Sequence, residues 1–259
     1  MSAGLLVNPP HNPTKINLEG GMLSVEELRH RLQTNDWFRG SSNALQDALI
    51  AHGRERRLRA GEHLFRHGSA SGGLYGVLGG AISVQANAPD ETSVLLVLEP
   101  CHWFGELALI DRLPRSHDAV ADTDSLVWCV PQAPLEAWLE AHPRHWREIA
   151  QLASGKLRIA FQIFDQEVRS PMTERVARRL RLATLGWGWR RDAPRDNLRL
   201  SQEQLSRMLG TSRSSVNKSL RELEVFGAIA LHYGAIEVKD STLLLQACGH
   251  AAAAHSHGA

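Results

Sequence analysis

The sequence predicts an α+β protein, and three patterns along the chain support that prediction. Between Glu55 and Pro131, short apolar segments alternate with glycine-rich turns, as in a β sandwich or barrel. From Pro134 onward, apolar residues recur every three or four positions, which indicates helices. From Leu200 to Val238, two short helices with a tight break precede two short strands. We therefore expect a β-rich domain, a long helix and a small helical domain, in that order.

The composition of the 259 residues is that of an ordinary globular protein, with 43% hydrophobic and 22% charged residues. No apolar run approaches the roughly 18–20 residues that a membrane helix needs. The N-terminus lacks the basic start and apolar core of a signal peptide, so we expect a cytoplasmic protein without a membrane partner. Cys101, Cys129 and Cys248 lie far apart, which argues against a disulfide framework and excludes a four-cysteine iron–sulfur cluster within the chain.

We expect five segments along the chain. They are residues 1–35 as a proline-rich arm with a first helix, 36–145 as the β-rich domain, 146–169 as a long helix, 170–245 as the helical hairpin domain, and 246–259 as a flexible tail. Two helices precede the strands: SVEELRHRLQ begins with Ser24 as its N-cap, and SSNALQDALIAHG ends at Gly53.

The long helix is predicted from Trp146 to Val168, where there is no proline and a single glycine. One nearly continuous stripe runs along it: Ile149, Leu152, Lys156, Ile159, Ile163 and Gln166. A helix of this length, apolar on more than one side, has surface left to bury, and a second copy in a symmetric dimer is a common way to bury it. A further helix, SPMTERVARRLRLATLGWG, is predicted to start with Ser170 as its cap and Pro171 in its first position.

The hairpin has the sequence LSQEQLSRMLGTSRSSVNKSLRELE, from Leu200 to Glu224. Its first helix is expected over 202–209, capped by Ser201 with Gln204 three residues later. Gly210 permits a sharp break, and Thr211 or Ser212 caps a second helix. The apolar residues of that helix point inward, and its N-terminal side shows polar side chains. Two short strands, 229–232 and 235–238, turn at Tyr233-Gly234 beside the helices.

The net charge of +1 conceals a basic block around this hairpin. Only four acidic residues lie between positions 174 and 218, against eleven basic ones: Arg175, Arg178, Arg179, Arg181, Arg190, Arg191, Arg195, Arg199, Arg207, Arg213 and Lys218. A solvated helix face would explain such a block. The helix-turn-helix pattern, the two strands and the long helix upstream together favour DNA phosphates as the partner.

A second dense motif, WFGELALIDRLPRS, runs from Trp103 to Ser116. A Gly-Glu pair opens a short helical turn whose backbone N–H groups form an anion-binding nest, and Arg115 can neutralise a phosphate. Glu106 can accept a hydrogen bond from a sugar hydroxyl. The motif therefore predicts a site for the phosphate and ribose of a nucleotide, with the base left to other elements.

These motifs together resemble those of the cAMP receptor protein/FNR (Crp/Fnr) family of transcription regulators. GELALIDRLPRS resembles the phosphate-binding cassette of cyclic-nucleotide domains, and the hairpin with its two strands resembles the family's winged helix-turn-helix. The resemblance covers roughly residues 36–240. It implies an N-terminal cyclic-nucleotide-binding-like β-roll (jelly roll) as sensor, a long dimerisation helix and a C-terminal winged helix-turn-helix. It also implies a homodimer that binds a two-fold symmetric promoter and recruits or blocks RNA polymerase.

The sensor positions carried over from the resemblance are Gly105, Glu106, Leu107, Arg115, Ser116 and Phe161. The chain departs from the family pattern around them. His117 replaces a small residue, and Asp118 brings a negative charge near the expected phosphate. Ala160 and Phe161 stand where cAMP-responsive members place a Thr-Ser pair against adenine, so Phe161 either stacks on another base or, as we expect, packs in the core. The effector is open: cAMP, cGMP, cyclic di-GMP, another ligand or none.

The DNA-contacting positions carried over are Ser212, Arg213, Ser214, Ser215, Asn217 and Lys218. Arginine reads guanine bidentately, asparagine suits adenine, and serine contacts either. Ser214 stands where the family often has a glutamate that accepts from cytosine, so we expect a different half-site. A signal at the β domain would change how the long helices meet, and a hinge near Arg169–Pro171 would then reposition two recognition helices to half-sites roughly 34 Å apart.

Three alternatives remain open at this level. Glu106, Asp111 and Asp118 suggest acid chemistry, but no base, nucleophile or metal set accompanies them, so we do not expect an enzyme. A cyclic-nucleotide module that acts only through protein partners is a second reading. Cys101, His102 and His117 are candidates for sensing metal, haem or redox state, although their spacing defines no coordination set.

Overall fold

The computed structural model describes residues 23–88, 91–100, 102–167, 170–185, 196–198, 200–232 and 234–249. Three helices come first: α1 (Val25–Leu32), α2 (Asp36–Gly40) and α3 (Asn43–Ala51). Ser24 caps α1 in a capping box with Glu27, as its sequence predicts, and α2 is an additional short helix that was not predicted. These helices place their apolar faces on the β domain.

The β domain is a roll of two four-stranded antiparallel sheets. Its elements are β1 (Arg54–Leu58), β2 (His63–Phe65), β3 (Gly73–Gly79), β4 (Ile82–Ala88), β5 (Glu91–Leu98), β6 (Trp103–Phe104), the short helix α4 (Glu106–Asp111), β7 (Asp118–Ala121) and β8 (Ser125–Pro131). One sheet has the order β1-β8-β3-β6 and the other β2-β7-β4-β5. Side chains such as Val77, Ile82 and Val127 fill the space between the sheets. The expected α+β roll is confirmed.

A second core joins the N-terminal helices to the outer face of the first sheet. Trp103 stacks on Phe38 with ring centroids 5.6 Å apart and meets Trp37 edge to face. The indole N–H of Trp37 donates to the backbone carbonyl of Glu148 at 2.7 Å. The strand that leads into α4 is therefore packed against α2 through Trp103, while Phe104 faces the interior of the roll.

Helix α5 (Gln132–Ala141) and a 3₁₀ turn (Pro143–His145) lead into the long helix α6 (Trp146–Glu167). Ile149 and Leu152 are buried against the second core, whereas Leu157 and Phe161 are exposed. Its first turns thus fix α6 to the β-roll, and its later turns present apolar side chains to solvent.

The C-terminal part contains α7 (Met172–Thr184), β9 (Asn197–Leu198), α8 (Gln202–Leu209), α9 (Arg213–Val225), β10 (Ile229–His232), β11 (Ala235–Val238) and α10 (Ser241–Ala247). The strands form a sheet of order β10-β11-β9. Helices α7, α8, α9 and α10 surround a third core, to which β5 of the roll contributes Val94 and Val97. The sensor-side strand β5 and the C-terminal helices therefore share buried surface.

Two boundaries differ from expectation. Pro171 occupies the N-cap position of α7 without a side-chain hydrogen bond, and Ser170, the expected cap, accepts instead from Arg178 at 2.5 Å. Residues 246–248, expected to belong to a flexible tail, are instead structured: α10 continues to Ala247, and Cys248 is buried, with its carbonyl accepting from Arg178 Nε at 2.9 Å. None of the helices in the described ranges combines the length and apolarity that spanning a bilayer requires.

Candidate functional site

The C-terminal hairpin is built by local capping. Ser201 and Gln204 form a capping box at the start of α8, and Gly210 adopts the left-handed conformation (φ 57°, ψ 42°) that turns the chain. Ser212 caps α9 by accepting from the backbone N–H of Ser215 at 3.2 Å. The inward residues of α9 are buried: Val216, Leu220 and Leu223. Their burial fixes which face of α9 turns outward.

The outward face of α9 carries Arg213, Ser214, Lys218 and Arg221, all exposed. Ser214, Lys218 and Arg221 follow one another at four- and three-residue intervals, so they form one stripe. Ser215 and Asn217 were expected on the same face and are half-buried, because both border the buried Val216.

Three serine hydroxyls form a network at the start of α9. The Ser212 hydroxyl lies 2.9 Å from those of Ser214 and Ser215. A DNA contact by any of these hydroxyls would therefore share or exchange an existing hydrogen bond.

The acidic side chains of α9 are directed to neighbouring elements. Glu222 accepts from the hydroxyl of Thr173 on α7, and Glu224 accepts from the backbone N–H of Leu231 at 2.9 Å. These hydrogen bonds engage one oxygen of each carboxylate with a neighbouring element. The exposed stripe of α9 therefore presents positive charge without a neutralising acid among the contacts described.

The two strands beside α9 pair in antiparallel register, with Ile229 opposite Val238 and His232 opposite Ala235. Tyr233 in their turn lies outside the described residues. Glu237 lies 2.9 Å from His232 Nε2 and 3.3 Å from Lys239 Nζ. Hydrogen bonds from these two side chains lower the pKa of Glu237, so its carboxylate stays ionised and offsets the charge of Lys239.

In the β-roll, the cassette begins at Gly105, which has φ 95°. A Cβ at this position would lie 2.8 Å from the carbonyl oxygen of Gly73, so only glycine fits. Glu106 opens α4 and is 3% exposed, and its Oε2 lies 2.5 Å from Nζ of Lys156 on α6.

Arg115 is buried within the cassette, with 4% of its surface exposed. Its Nη1 donates to the carbonyl of Gly105 at 3.0 Å and its Nη2 to that of Gly73 at 2.6 Å. The guanidinium lies 4.3 Å from the ring centroid of Phe65 and 5.4 Å from that of Tyr75. Burial lowers the pKa of Arg115 and raises that of Tyr75. The structure thus brings Gly105, Glu106 and Arg115 together.

The residues that follow Arg115 are engaged differently. The hydroxyl of Ser116 lies 2.8 Å from Nδ1 of His117 and is exposed. Burial lowers the pKa of His117, with the neighbouring His67 adding to the effect. The buried Asp118 accepts from the backbone N–H of His67 at 2.5 Å. The carboxylate of Asp118 is therefore hydrogen-bonded within the roll, where it links β7 to the residues that follow β2.

The candidate metal-sensing residues form no ligand set in the part of the chain that is described. His102 is buried, with Nδ1 2.8 Å from the carbonyl of Glu99, and His117 is bonded to Ser116. Cys101 lies outside the described residues.

Comparisons with known proteins agree with this geometry. Residues 55–142 match the cyclic nucleotide-binding domain, and residues 174–247 match the Crp-like helix-turn-helix domain. This chain belongs to the Crp/Fnr family of transcription regulators. It is therefore a regulator with a DNA-binding helix-turn-helix rather than an enzyme.

Individual Crp/Fnr proteins are similar at moderate identity. A CRP-like cAMP-activated global transcriptional regulator of Mycobacterium tuberculosis is 26% identical over 186 residues, 71% of this chain and 83% of that protein. The cyclic AMP receptor protein of Thermus thermophilus is 26% identical over 209 residues, 80% of this chain and 94% of that protein. The structure of FixK2 from Bradyrhizobium japonicum has a TM-score of 0.67 at 22% identity, over 77% of this chain and 99% of that one, which supports the fold.

Two residues that were expected in the sensor site do not join the cluster of Gly105, Glu106 and Arg115. Leu107 is 53% exposed on α4, and Phe161 is 64% exposed on α6. The expectation that Phe161 packs in the core is wrong, because its turn of α6 lies beyond the part of the helix that the β-roll covers.

Sequence reasoning missed several residues of this Crp/Fnr site. Lys156 was visible as a cation inside an otherwise apolar stripe of α6, and Arg221 as the residue three positions after Lys218. Phe65 and Tyr75, which flank Arg115, come from β2 and β3, and no local pattern connects them to the cassette.

Proposed function

We propose that this Crp/Fnr regulator acts as a homodimer that reads a two-fold symmetric promoter site with the outward stripe of α9. The observation that carries the proposal is that the cations of that helix are exposed while its acidic side chains are hydrogen-bonded. Arg213, Lys218 and Arg221 face outward, whereas Glu222 and Glu224 are bonded to neighbouring elements. A helix presenting positive side chains over a buried apolar face fits the DNA major groove.

The roles on α9 follow from side-chain chemistry. Arg213, in the first turn, is the candidate for bidentate contact with guanine, and Lys218 and Arg221 suit phosphates. Ser212, Ser214 and Ser215 suit bases or phosphates through hydroxyls, and Asn217 suits a base edge after a rotation of its half-buried side chain.

The dimer partner is a second copy of the chain, and the two copies contact each other through the exposed turns of α6. Leu157 and Phe161 are 54% and 64% exposed, and Leu107, Ile110 and Leu113 around α4 are exposed beside them. Helix α4 packs against α6, so these side chains belong to neighbouring elements. Exposed apolar surface of this kind marks an interface. A two-fold promoter site requires two α9 helices, which a symmetric pair of α6 helices would supply.

The sensor would take a cyclic nucleotide, the chemistry that its domain family implies. The M. tuberculosis relative is described as cAMP-activated. Glu106 suits a ribose hydroxyl. Nε of Arg115 is buried and makes no hydrogen bond to the described residues, so it is the donor left for a phosphate. Ala160 and Phe161 lack the hydroxyls that would read adenine, so cGMP and cyclic di-GMP stand beside cAMP as candidates. RNA polymerase is the partner through which promoter binding would act.

Selection of duplexes from a random pool tests the function. Purified protein should enrich a palindromic site with half-sites about 34 Å apart, and its affinity should fall steeply with salt. Replacing both Arg213 and Lys218 by Ala should abolish enrichment. Arg59→Ala, which removes an exposed cation of the β-roll, is the matched control and should preserve it. Failure to enrich any sequence, with no salt-sensitive binding to duplex DNA, would refute the proposal.

A further inference from the structure

The ion pair between Lys156 and Glu106 connects the long helix to the cassette. Lys156 Nζ lies 2.5 Å from Glu106 Oε2, across 50 residues of sequence. The side chain of Glu106 is 3% exposed and that of Lys156 is 31% exposed. A carboxylate this deeply buried is stable as an ion only when a cation or several donors are bonded to it. Lys156 is the cation bonded to Glu106 in this structure.

The second charged residue of the cassette is also engaged within the chain. Arg115 donates to the carbonyls of Gly73 and Gly105, and its guanidinium lies against Phe65. These contacts hold β3, the start of α4 and β2 together. Both side chains that would bind the ribose and phosphate of a nucleotide therefore stabilise the cassette through bonds to the protein itself.

The turn of α6 that carries Lys156 lies beside the core that the β-roll and the DNA-binding domain share. Ile159, three residues further along α6, packs against this core, which contains Val94 and Val97 of β5 together with side chains of α7, α8 and α9. Residues three apart on a helix lie side by side. This turn of α6 is thus bonded to the cassette through Lys156 and packs, through Ile159, against the core that β5 shares with the C-terminal helices.

We propose that the Lys156–Glu106 ion pair holds α6 against the cassette in the way that a bound effector otherwise would. The regulator then binds DNA most tightly without a nucleotide. The pair fixes α6 to the cassette from within. A ribose hydroxyl at Glu106 competes with Lys156 for the carboxylate, so a cyclic nucleotide leaves DNA affinity unchanged or lowers it. This inference rests on the proposed function, because its readout is DNA binding.

Fluorescence anisotropy on the selected duplex tests the inference. The full-length protein should bind the duplex tightly with no nucleotide added, and cAMP, cGMP or cyclic di-GMP should not raise its affinity. Lys156→Met should weaken binding by about tenfold, the size of a typical coupling between two sites. Arg158→Met removes a cation from an exposed position two residues further along α6 and is the matched control, which should bind like the original protein.

Charge exchange separates coupling from simple loss of structure. Glu106→Lys alone should weaken DNA binding, and combining it with Lys156→Glu should recover most of the loss, because the pair is restored in reverse. Lys156→Arg should retain binding. If Lys156→Met fails to fold, the comparison of Glu106→Lys with the exchanged double variant tests the coupling between the ion pair and DNA binding instead.

The failures of the two proposals are distinguishable. An increase of threefold or more in DNA affinity on adding any of the three nucleotides would overturn the inference and leave the DNA-binding function intact. The inference would also be overturned if a folded Lys156→Met variant bound DNA with unchanged affinity. It would equally be overturned if the Glu106→Lys, Lys156→Glu double variant did not recover DNA binding. A protein that binds no duplex under any of these conditions refutes the proposed function itself.

Discussion

The side-chain amide of Gln204 donates to the carboxylate of Asp122 at 2.7 Å, which joins the first helix of the helix-turn-helix to the β-roll. Gln204 belongs to the capping box of α8, and Asp122 directly follows β7. The bond lies beside the apolar contact that Val94 and Val97 of β5 make with the C-terminal core. The position of the DNA-binding domain is therefore held by both polar and apolar contacts.

Removing this bond should loosen the two domains. Asp122→Ala should lower the stability of the domain contact by about 1 kcal/mol, the net value of one hydrogen bond. Hydrogen exchange of α8 measures the effect as faster exchange of its amides. Asp122→Asn keeps an acceptor oxygen and is the control, so equal acceleration in both variants would contradict the assigned role.

The side chains on the outward face of α9 are expected to differ in what they contact on DNA. Arg213→Ala should weaken binding to the selected site by about 1–3 kcal/mol and relax the preference at one base position. Lys218→Ala should weaken binding on all sequences alike and reduce the salt dependence by about one counterion. Binding titrations on specific and random duplexes separate the two. Equal losses for Arg213→Ala on both duplexes would rule out base contact.

The exposed turns of α6 predict the oligomeric state. The protein should sediment at twice its chain mass, and Leu157→Asp should shift it to monomer, because a charge would be buried at the interface. Val25→Asp, at an exposed valine of α1, is the control and should remain dimeric. Sedimentation velocity reads both variants. A Leu157→Asp protein that stays dimeric would place the interface elsewhere.

Gly105 should be intolerant of a side chain. Gly105→Ala places a Cβ 2.8 Å from the Gly73 carbonyl oxygen at a φ of 95°, so it should lower the free energy of unfolding by about 1–3 kcal/mol. Gly40→Ala meets no atom within 4 Å and has no positive φ, so it should change little. Urea denaturation compares them. Equal stability of the two variants would show that the cassette backbone relaxes freely.

Glu148 predicts a pH dependence of stability. Burial opposes its charge, but hydrogen bonds from Ser42 and His145 outweigh burial and lower its pKa below the ordinary 4.5. A lowered folded pKa gives stability that is fully present above pH 4.5 and is lost as pH falls through the folded value. Between about pH 6 and pH 3, Glu148→Gln should therefore lose less unfolding free energy than the original protein. Glu26→Gln, at an exposed carboxylate of α1, should follow the original curve.

Sequence reasoning located the elements that local chemistry determines. The capping box of α8, the turn at Gly210 and the strands 229–232 and 235–238 all lie where they were expected. The cap and the turn depend on residues within four positions of one another, and the strand pair on residues within nine, so a short stretch of sequence contains the cause of each. The start of α4 after Gly105 was predictable for the same reason.

Relationships between distant segments were not predictable in this way. Lys156 and Glu106 are 50 positions apart, and Gln204 and Asp122 are 82 apart. Apolar spacing placed Phe161 on a helix but did not say whether the chain itself covers that turn, and it does not. The short helix α2 was not predicted because it is stabilised by tertiary contacts, the packing of Trp37 and Phe38 on Trp103, which lies far away in the sequence.

Val94 and Val97 lie in a strand of the β-roll and in the core of the DNA-binding domain at once. Moving the second domain away would expose both side chains to water, at about 1.5–3 kcal/mol each. Even at the lower figure, about 3 kcal/mol for the two side chains together, only about one molecule in 160 adopts the displaced arrangement. The domain therefore keeps a single predominant position, and only an event that supplies several kcal/mol, such as DNA or ligand binding, changes it.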